Sequence, residues 1–149
     1  MSLDMSLELE GNSPDWVALE DAVRAVGVED FENTMKKRNE NDFLAKYVAK
    51  EEKFDGFFSK SRSHFYLYKR VELGELYAEG RHGCNFKVQY VIVFRINNAH
   101  YTEFVEDVYA FLEKLATISP MQFVLSFQSE EVYAIRNKQG FEFFWHAPR

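Results

Sequence analysis

The chain has one cysteine, Cys84, and therefore cannot form a disulfide bond within itself. The sequence shows no signal-peptide pattern. A single cysteine and the lack of this pattern together favour a reducing, cytoplasmic setting. The pair His82 and Cys84 has no C-x-x-C or H-x-x-x-H pattern beside it, and the other histidines are dispersed. Because zinc needs three or four converging ligands, we expect no metal site.

Long hydrophobic runs and phosphate-binding motifs are also missing. The longest apolar run, residues 90–94, has the length of a strand and falls far short of the ~20 residues of a membrane-spanning helix. The seven glycines are scattered. The phosphate-binding motifs G-x-x-x-x-G-K-[ST] and G-x-G-x-x-G are absent, and so is the nucleophile motif G-x-S-x-G. We therefore expect no membrane span, no cofactor and no catalytic site.

Aromatic side chains, by contrast, are abundant. They make up 17% of the chain, with 15 Phe, 8 Tyr and 2 Trp. Rings bury large areas, so residues 12–149 are expected to form a single globular domain around a ring-rich core. Residues 1–11 repeat the tripeptide Met-Ser-Leu, and we interpret them as a disordered tail or a cloning remnant outside this domain.

The N-terminal part of the chain carries helical signals. From Ser13 to Gly27 it has a capping residue, a proline at the first helical position and a periodic apolar face, which together predict a helix. Residues 29–53 predict two short helices with a polar joint near Asn39, and residues 54–58 predict a turn.

From Ser63 onward the apolar spacing changes to two, which is typical of strands. Residues 85–97 are apolar on both faces at their centre, so we place this strand in the interior of a sheet. An amphipathic helix follows over about 100–116. Further strands are predicted at 64–70, 75–78, 121–127, 131–136 and 141–146. The fold class is therefore α+β, with N-terminal helices followed by a mostly antiparallel sheet and one long helix packed on it.

The periodicities also predict which residues of the long strand and the long helix meet in the core. The six expected to be buried together are Tyr90, Ile92, Phe94, Val105, Val108 and Leu112.

The net charge of −6 is unevenly distributed. Residues 1–32 carry nine acidic side chains and one basic one, whereas residues 33–70 carry ten basic and five acidic ones. The two regions either pair with each other inside the molecule, or the first forms an acidic surface that steers a basic partner protein. On the second interpretation, the candidate partner-binding residues are Asp15, Glu20, Asp21, Glu29 and Asp30.

One stretch combines bases with rings. Lys60, Arg62, Lys69 and Arg70 surround Phe65, Tyr66 and Tyr68, and RNA-binding sheets stack bases on exposed rings. The aromatic–glycine signature of such sheets is absent and the net charge is negative, so we do not expect nucleic-acid binding.

Two functions remain open. A small, acidic chain without catalytic motifs but rich in interface-forming aromatics is similar in composition to bacterial immunity and antitoxin proteins. This likeness implies a non-enzymatic inhibitor that acts through protein–protein contact. The alternative is a small-molecule-binding or isomerase-type domain whose aromatic residues line a cavity. The sequence identifies neither the partner nor the oligomeric state.

Overall fold

The computed structural model describes residues 4–35, 52–78, 84–128 and 130–145. Its elements are β1 (Asp4–Glu10), α1 (Trp16–Val26), β2 (Val28–Asn33), β3 (Phe54–Phe58), β4 (His64–Gly74), β5 (Val88–Arg95), a 3-10 turn (Asn98–His100), α2 (Tyr101–Ile118), β6 (Phe123–Phe127), β7 (Glu131–Asn137) and β8 (Gly140–Phe143). The strands form one antiparallel sheet in the order β2-β3-β4-β5-β1-β6-β7-β8. The α+β class and the long helix near 100–116 are thus confirmed.

The first helix ends at Gly27, as the sequence indicates, but it begins at Trp16 with Asp15 as its cap, two residues after the predicted cap Ser13. The Asp15 carboxylate accepts a hydrogen bond from the Ala18 N–H at 3.1 Å, which caps the helix start. Gly27, with φ of +107°, ends the helix while its N–H donates to the Val23 carbonyl. The apolar face of α1 packs against α2 and the sheet in one core.

The expected core residues are buried together. All six lie in the main hydrophobic cluster, and the most exposed of them, Tyr90, has only 8% of its surface accessible. Rings fill the centre of this cluster. Phe58, Phe65, Phe94 and Phe111 form a connected group with centroids 5.1–6.3 Å apart.

The prediction of several N-terminal helices is wrong, because residues 28–33 form the edge strand β2. Asp30 has φ of +51°, a left-handed conformation that an α-helix cannot contain. The partner strand β3 occupies residues 54–58, where the sequence predicts a turn. Gly56 allows the two strands to approach, since a Cβ there would lie 3.2 Å from the Cα of Phe31. The second predicted helix, after Asn39, lies outside the described residues.

Residues 4–10 form β1, so the interpretation of residues 1–11 as a tail does not hold for them. This strand lies between β5 and β6 in the middle of the sheet. Its apolar residues Met5, Leu7 and Leu9 point into the main core and are at most 1% exposed. Residues 1–3 lie outside the described residues.

The later strands agree with the sequence more closely. β5 is an interior strand, as predicted, between β4 and β1. Strands β6, β7 and β8 follow α2, and Asn137 and Gly140 close the predicted hairpin between the last two. Residues 75–78, predicted as a short strand, belong to no strand and instead lie against the sheet.

Candidate functional site

The two faces of the sheet differ. Both helices contribute to the main cluster on one face, whereas the smaller cluster on the other face contains no helix residue among those that the structure describes. We call this second side the open face. Cross-strand register defines two of its rows: one has Tyr66, Val93 and Ser6 side by side, and the next has Tyr68, Val91 and Glu8. Strands β4, β5 and β1 therefore bring aromatic, apolar and polar side chains together there.

A buried ion pair lies at one end of this surface. The Arg70 Nη2 donates to the Glu8 Oε2 at 2.7 Å, and the two side chains are only 6% and 2% exposed. The other guanidinium nitrogen, Nη1, donates to the carbonyl of Glu75 at 2.8 Å. Buried charges persist when they are paired and fully hydrogen-bonded, and this pair comes close to that condition.

Glu8 also fixes the segment that follows β4. Its carboxylate accepts the backbone N–H groups of Tyr77 at 2.7 Å and Ala78 at 2.9 Å. The ring of Tyr77 then lies over the Arg70 guanidinium, with 3.5 Å between the guanidinium carbon and the ring centroid. One buried carboxylate thus positions a tyrosine that is 64% exposed.

A cleft of about 190 Å³ opens beside this pair. Tyr68, itself 55% exposed, and Tyr77 stand at its sides. Its lining residues are Ser6, Glu8, Tyr68, Arg70, Tyr77, Val91 and Val93. The cleft is therefore mainly apolar, with one compensated ion pair at its edge.

A second cleft, of about 530 Å³, lies at the start of α1 and has a different character. It is lined by Glu10, Ser13, Asp15, Ser119, Pro120, Met121, Gln122 and Lys138. Both carboxylates in its lining already accept hydrogen bonds from the protein. Glu10 accepts two from Gln122, and Asp15 accepts one from the Ser119 hydroxyl. It has the volume of a small-molecule site but no aromatic lining.

Of the five acidic residues predicted to bind a partner, three already interact with other residues of the chain. Asp15 caps α1, Glu20 pairs with Arg24 at 3.3 Å, and Glu29 lies 3.6 Å from Arg62. Asp21 and Asp30 are exposed and make no ion pair with the described residues. The bases Lys36, Lys37, Arg38 and Lys46 lie outside those residues.

The four bases considered for nucleic-acid binding each have an acidic partner. Besides the pairs of Arg62 and Arg70 already described, Lys60 lies 3.0 Å from Glu106 and Lys69 lies 3.0 Å from Glu52. These pairs cancel the positive charge that phosphate binding needs.

The aromatic residues of that stretch are divided between the two sides of the sheet. Phe65 is buried in the main core. On the open face, the rings of Phe57 and His64 stack at 4.8 Å, and those of His64 and Tyr66 at 5.5 Å. These three rings cover one another, so Tyr68, which is 55% exposed, is the ring of this stretch that offers most area for stacked bases.

Reactive groups are few among the described residues. Burial raises the pKa of the Cys84 thiol and keeps it protonated, which disfavours a nucleophilic role. No group of three or more His, Cys, Asp or Glu side chains in this part of the chain is arranged to hold a metal ion. Burial also raises the pKa of Asp107, whose carboxylate accepts the Ser61 N–H at 3.1 Å between α2 and the β3–β4 turn.

Two residues central to the open face were missed in the sequence. Glu8 lies in the segment set aside as a tail, although the alternation of Met5, Leu7 and Leu9 places it on the opposite side from the core. Tyr77 lies in the segment 75–78, for which the sequence predicts a strand. No local signal shows that Glu8 contacts Arg70, which is 62 positions away.

Comparisons with protein-family models, with curated proteins and with solved structures found no match. Neither helix of the described chain combines the length and the apolar composition required to cross a membrane.

Proposed function

We propose that the chain is a non-enzymatic protein that binds a partner protein through the open face of its sheet, as an inhibitor of the immunity or antitoxin type would. The observation that carries this proposal is a concentration of exposed apolar side chains. Of the nine large apolar residues most exposed in the described chain, two, Tyr68 and Tyr77, line the open-face cleft and form an exposed patch there. Patches of this kind mark interaction surfaces.

The composition of the patch supports a protein partner. Tyrosine and arginine are enriched among the residues that dominate binding energy at protein interfaces. Here Tyr77 lies on the Arg70 guanidinium and is fixed through its backbone by Glu8. A side chain that is already positioned loses less conformational entropy on binding, so more of its contact energy contributes to affinity.

The alternative, a small-molecule domain with an aromatic-lined cavity, has less support. The open-face cleft has aromatic walls, but its 190 Å³ is below the ~300–1,000 Å³ typical of small-molecule sites. The cleft at the start of α1 is large enough, but its lining has no ring.

Native mass spectrometry of the protein isolated from its own cells tests this proposal. We expect a co-purifying protein that is lost from the double variant Tyr68→Ser, Tyr77→Ser. Tyr109→Ser, which removes a 41% exposed tyrosine from α2, is the matched control and should retain the partner. A bound small molecule in place of a protein, or equal loss from the control at unchanged Tm, would reject the proposal.

Electrostatic steering by the N-terminal acids is a separate part of the proposal. Of the five candidate residues, Asp21 and Asp30 make no ion pair with the described residues, so they are the ones to neutralise. The variant Asp21→Asn, Asp30→Asn should slow association with a basic partner at low salt and leave the dissociation rate nearly unchanged. An unchanged association rate, measured by stopped flow, would eliminate steering and leave the open-face contact unaffected.

A further inference from the structure

The size of the open-face cleft limits what it can accept. Its volume of about 190 Å³ is below the ~300–1,000 Å³ of typical small-molecule sites. A pocket of this size accommodates one side chain of a partner protein, which is how interface hot spots are commonly filled.

The charge of the cleft restricts the occupant further. Glu8 and Arg70 both line it, but they compensate each other at 2.7 Å and are buried. A charged side chain entering the cleft would lose its hydration without gaining a free counter-charge, which is unfavourable. The occupant is therefore uncharged.

The walls favour a ring. Tyr68 and Tyr77 stand at the sides of the cleft, and Val91 and Val93 lie in the sheet beneath it. Aromatic pairs gain ~0.5–1.5 kcal/mol beyond the area they bury, through edge-to-face or offset contacts. The Ser6 hydroxyl is also in the lining and makes no hydrogen bond to the described residues. It can therefore hydrogen-bond to a polar atom at the end of an incoming aromatic side chain.

From these properties we infer that the cleft is the anchor point of the partner interface and accepts one uncharged aromatic side chain with a polar tip, tyrosine or tryptophan, from the partner protein. The inference rests on the proposed function and adds the chemistry of the contact. It also separates two roles: the anchor supplies affinity that is insensitive to salt, and any steering by Asp21 and Asp30 acts on association rate alone.

The test uses side-chain analogues with the intact protein. The probe for tyrosine is p-cresol, acetate represents acidic side chains, and n-butylammonium represents lysine. Methyl NMR signals of Val91 and Val93 report on occupancy, because both residues line the cleft. We expect saturable shifts with p-cresol, and none with either ion at the same concentration. Raising ionic strength from ~0.1 M to ~1 M, which shortens the Debye length from about 10 Å to about 3 Å, should leave the p-cresol affinity unchanged.

Two variants assign the signals to the cleft. Val93→Phe fills it and should abolish the p-cresol shifts of Val91. Val17→Phe adds the same ring on the exposed side of α1, where Val17 is 46% exposed, and should leave them intact. If Val93→Phe does not fold, Tyr68→Ala removes one wall without adding volume and should weaken p-cresol binding about tenfold, a change that corresponds to 1.4 kcal/mol.

The possible outcomes are distinct. Equal or tighter binding of acetate or butylammonium, or no shift with p-cresol at millimolar concentration, overturns the inference. If the cellular partner is nevertheless captured and lost with the Tyr68, Tyr77 double variant, the proposed function stands and only the anchor chemistry is wrong. If p-cresol binds in the cleft but no protein partner is captured, the cleft takes a free aromatic ligand, and both the inference and the proposed function fail.

Discussion

Replacing Glu8 with alanine removes the acceptor that compensates Arg70 and fixes Tyr77. The guanidinium would remain in a site where the arginine side chain is 6% exposed, and its other hydrogen bonds, to backbone carbonyls, do not neutralise its charge. Breaking a buried pair in this way typically costs about 3–5 kcal/mol. Urea-induced unfolding at pH 7 should therefore show Glu8→Ala to be destabilised by that amount.

The same measurement on other variants isolates the cause. Glu8→Gln keeps an acceptor oxygen and the size of the side chain but loses the charge. Its free energy of unfolding should therefore fall by less than that of Glu8→Ala. The double variant Glu8→Leu, Arg70→Met removes both charges and should recover much of the stability, since apolar replacements of buried pairs are often neutral or stabilising. Glu106→Ala breaks the exposed pair with Lys60, where both side chains are more than half exposed, and should cost ~0–1 kcal/mol.

Two results would refute this reasoning. A decrease of less than about 1 kcal/mol in the free energy of unfolding of Glu8→Ala would mean that water or another acceptor binds Arg70 in place of Glu8. A double variant that is as unstable as Glu8→Ala would mean that packing around the carboxylate, and not the uncompensated charge, causes the loss.

Three further predictions concern other parts of the fold. Ile92→Ala and Leu112→Ala should each lower the free energy of unfolding by about 2–5 kcal/mol, because both side chains are fully buried; less than about 1 kcal/mol at both sites would contradict the core assignment. Asp15→Ala removes the cap of α1 and should cost ~0.5–2 kcal/mol in thermal or urea unfolding, whereas Asp21→Ala on the exposed side of the same helix should change stability by less than about 0.5 kcal/mol. Because burial raises the pKa of Asp107 in the folded protein, this group favours folding most at low pH and loses that contribution as pH rises from its ordinary value of 3.8 through the higher folded value. Asp107→Asn should therefore gain stability relative to the unaltered protein as pH rises through this range, and a constant difference across unfolding curves from acid to neutral pH would exclude the effect.

Composition does not predict which charged residues pair with each other. The sequence shows an acidic region followed by a basic one, but not which residues meet. In the structure Glu29 lies near Arg62, as internal pairing predicts, whereas Glu20 pairs with Arg24 in its own helix and Asp21 has no partner in the described chain. Only three-dimensional placement separates these cases.

Local signals in the sequence determined the elements that depend on local contacts. Both helices follow from 3.6-residue periodicity, and β5 follows from its alternation and its apolar centre, because these preferences act over neighbouring residues. The size of the aromatic core and the absence of recognisable catalytic motifs were equally visible in the sequence.

Tertiary structure alone decided the elements and contacts that join distant parts of the chain. The alternation of Met5, Leu7 and Leu9 indicates a strand, but its central position depends on distant partners, because Leu7 pairs with Ile92 on one side and with Leu125 on the other. Residues 28–33 have a weak helical pattern that pairing with β3 overrides. The open-face site has the same origin, since Glu8, Arg70 and Tyr77 meet only when β1, β4 and the segment after β4 come together in the sheet.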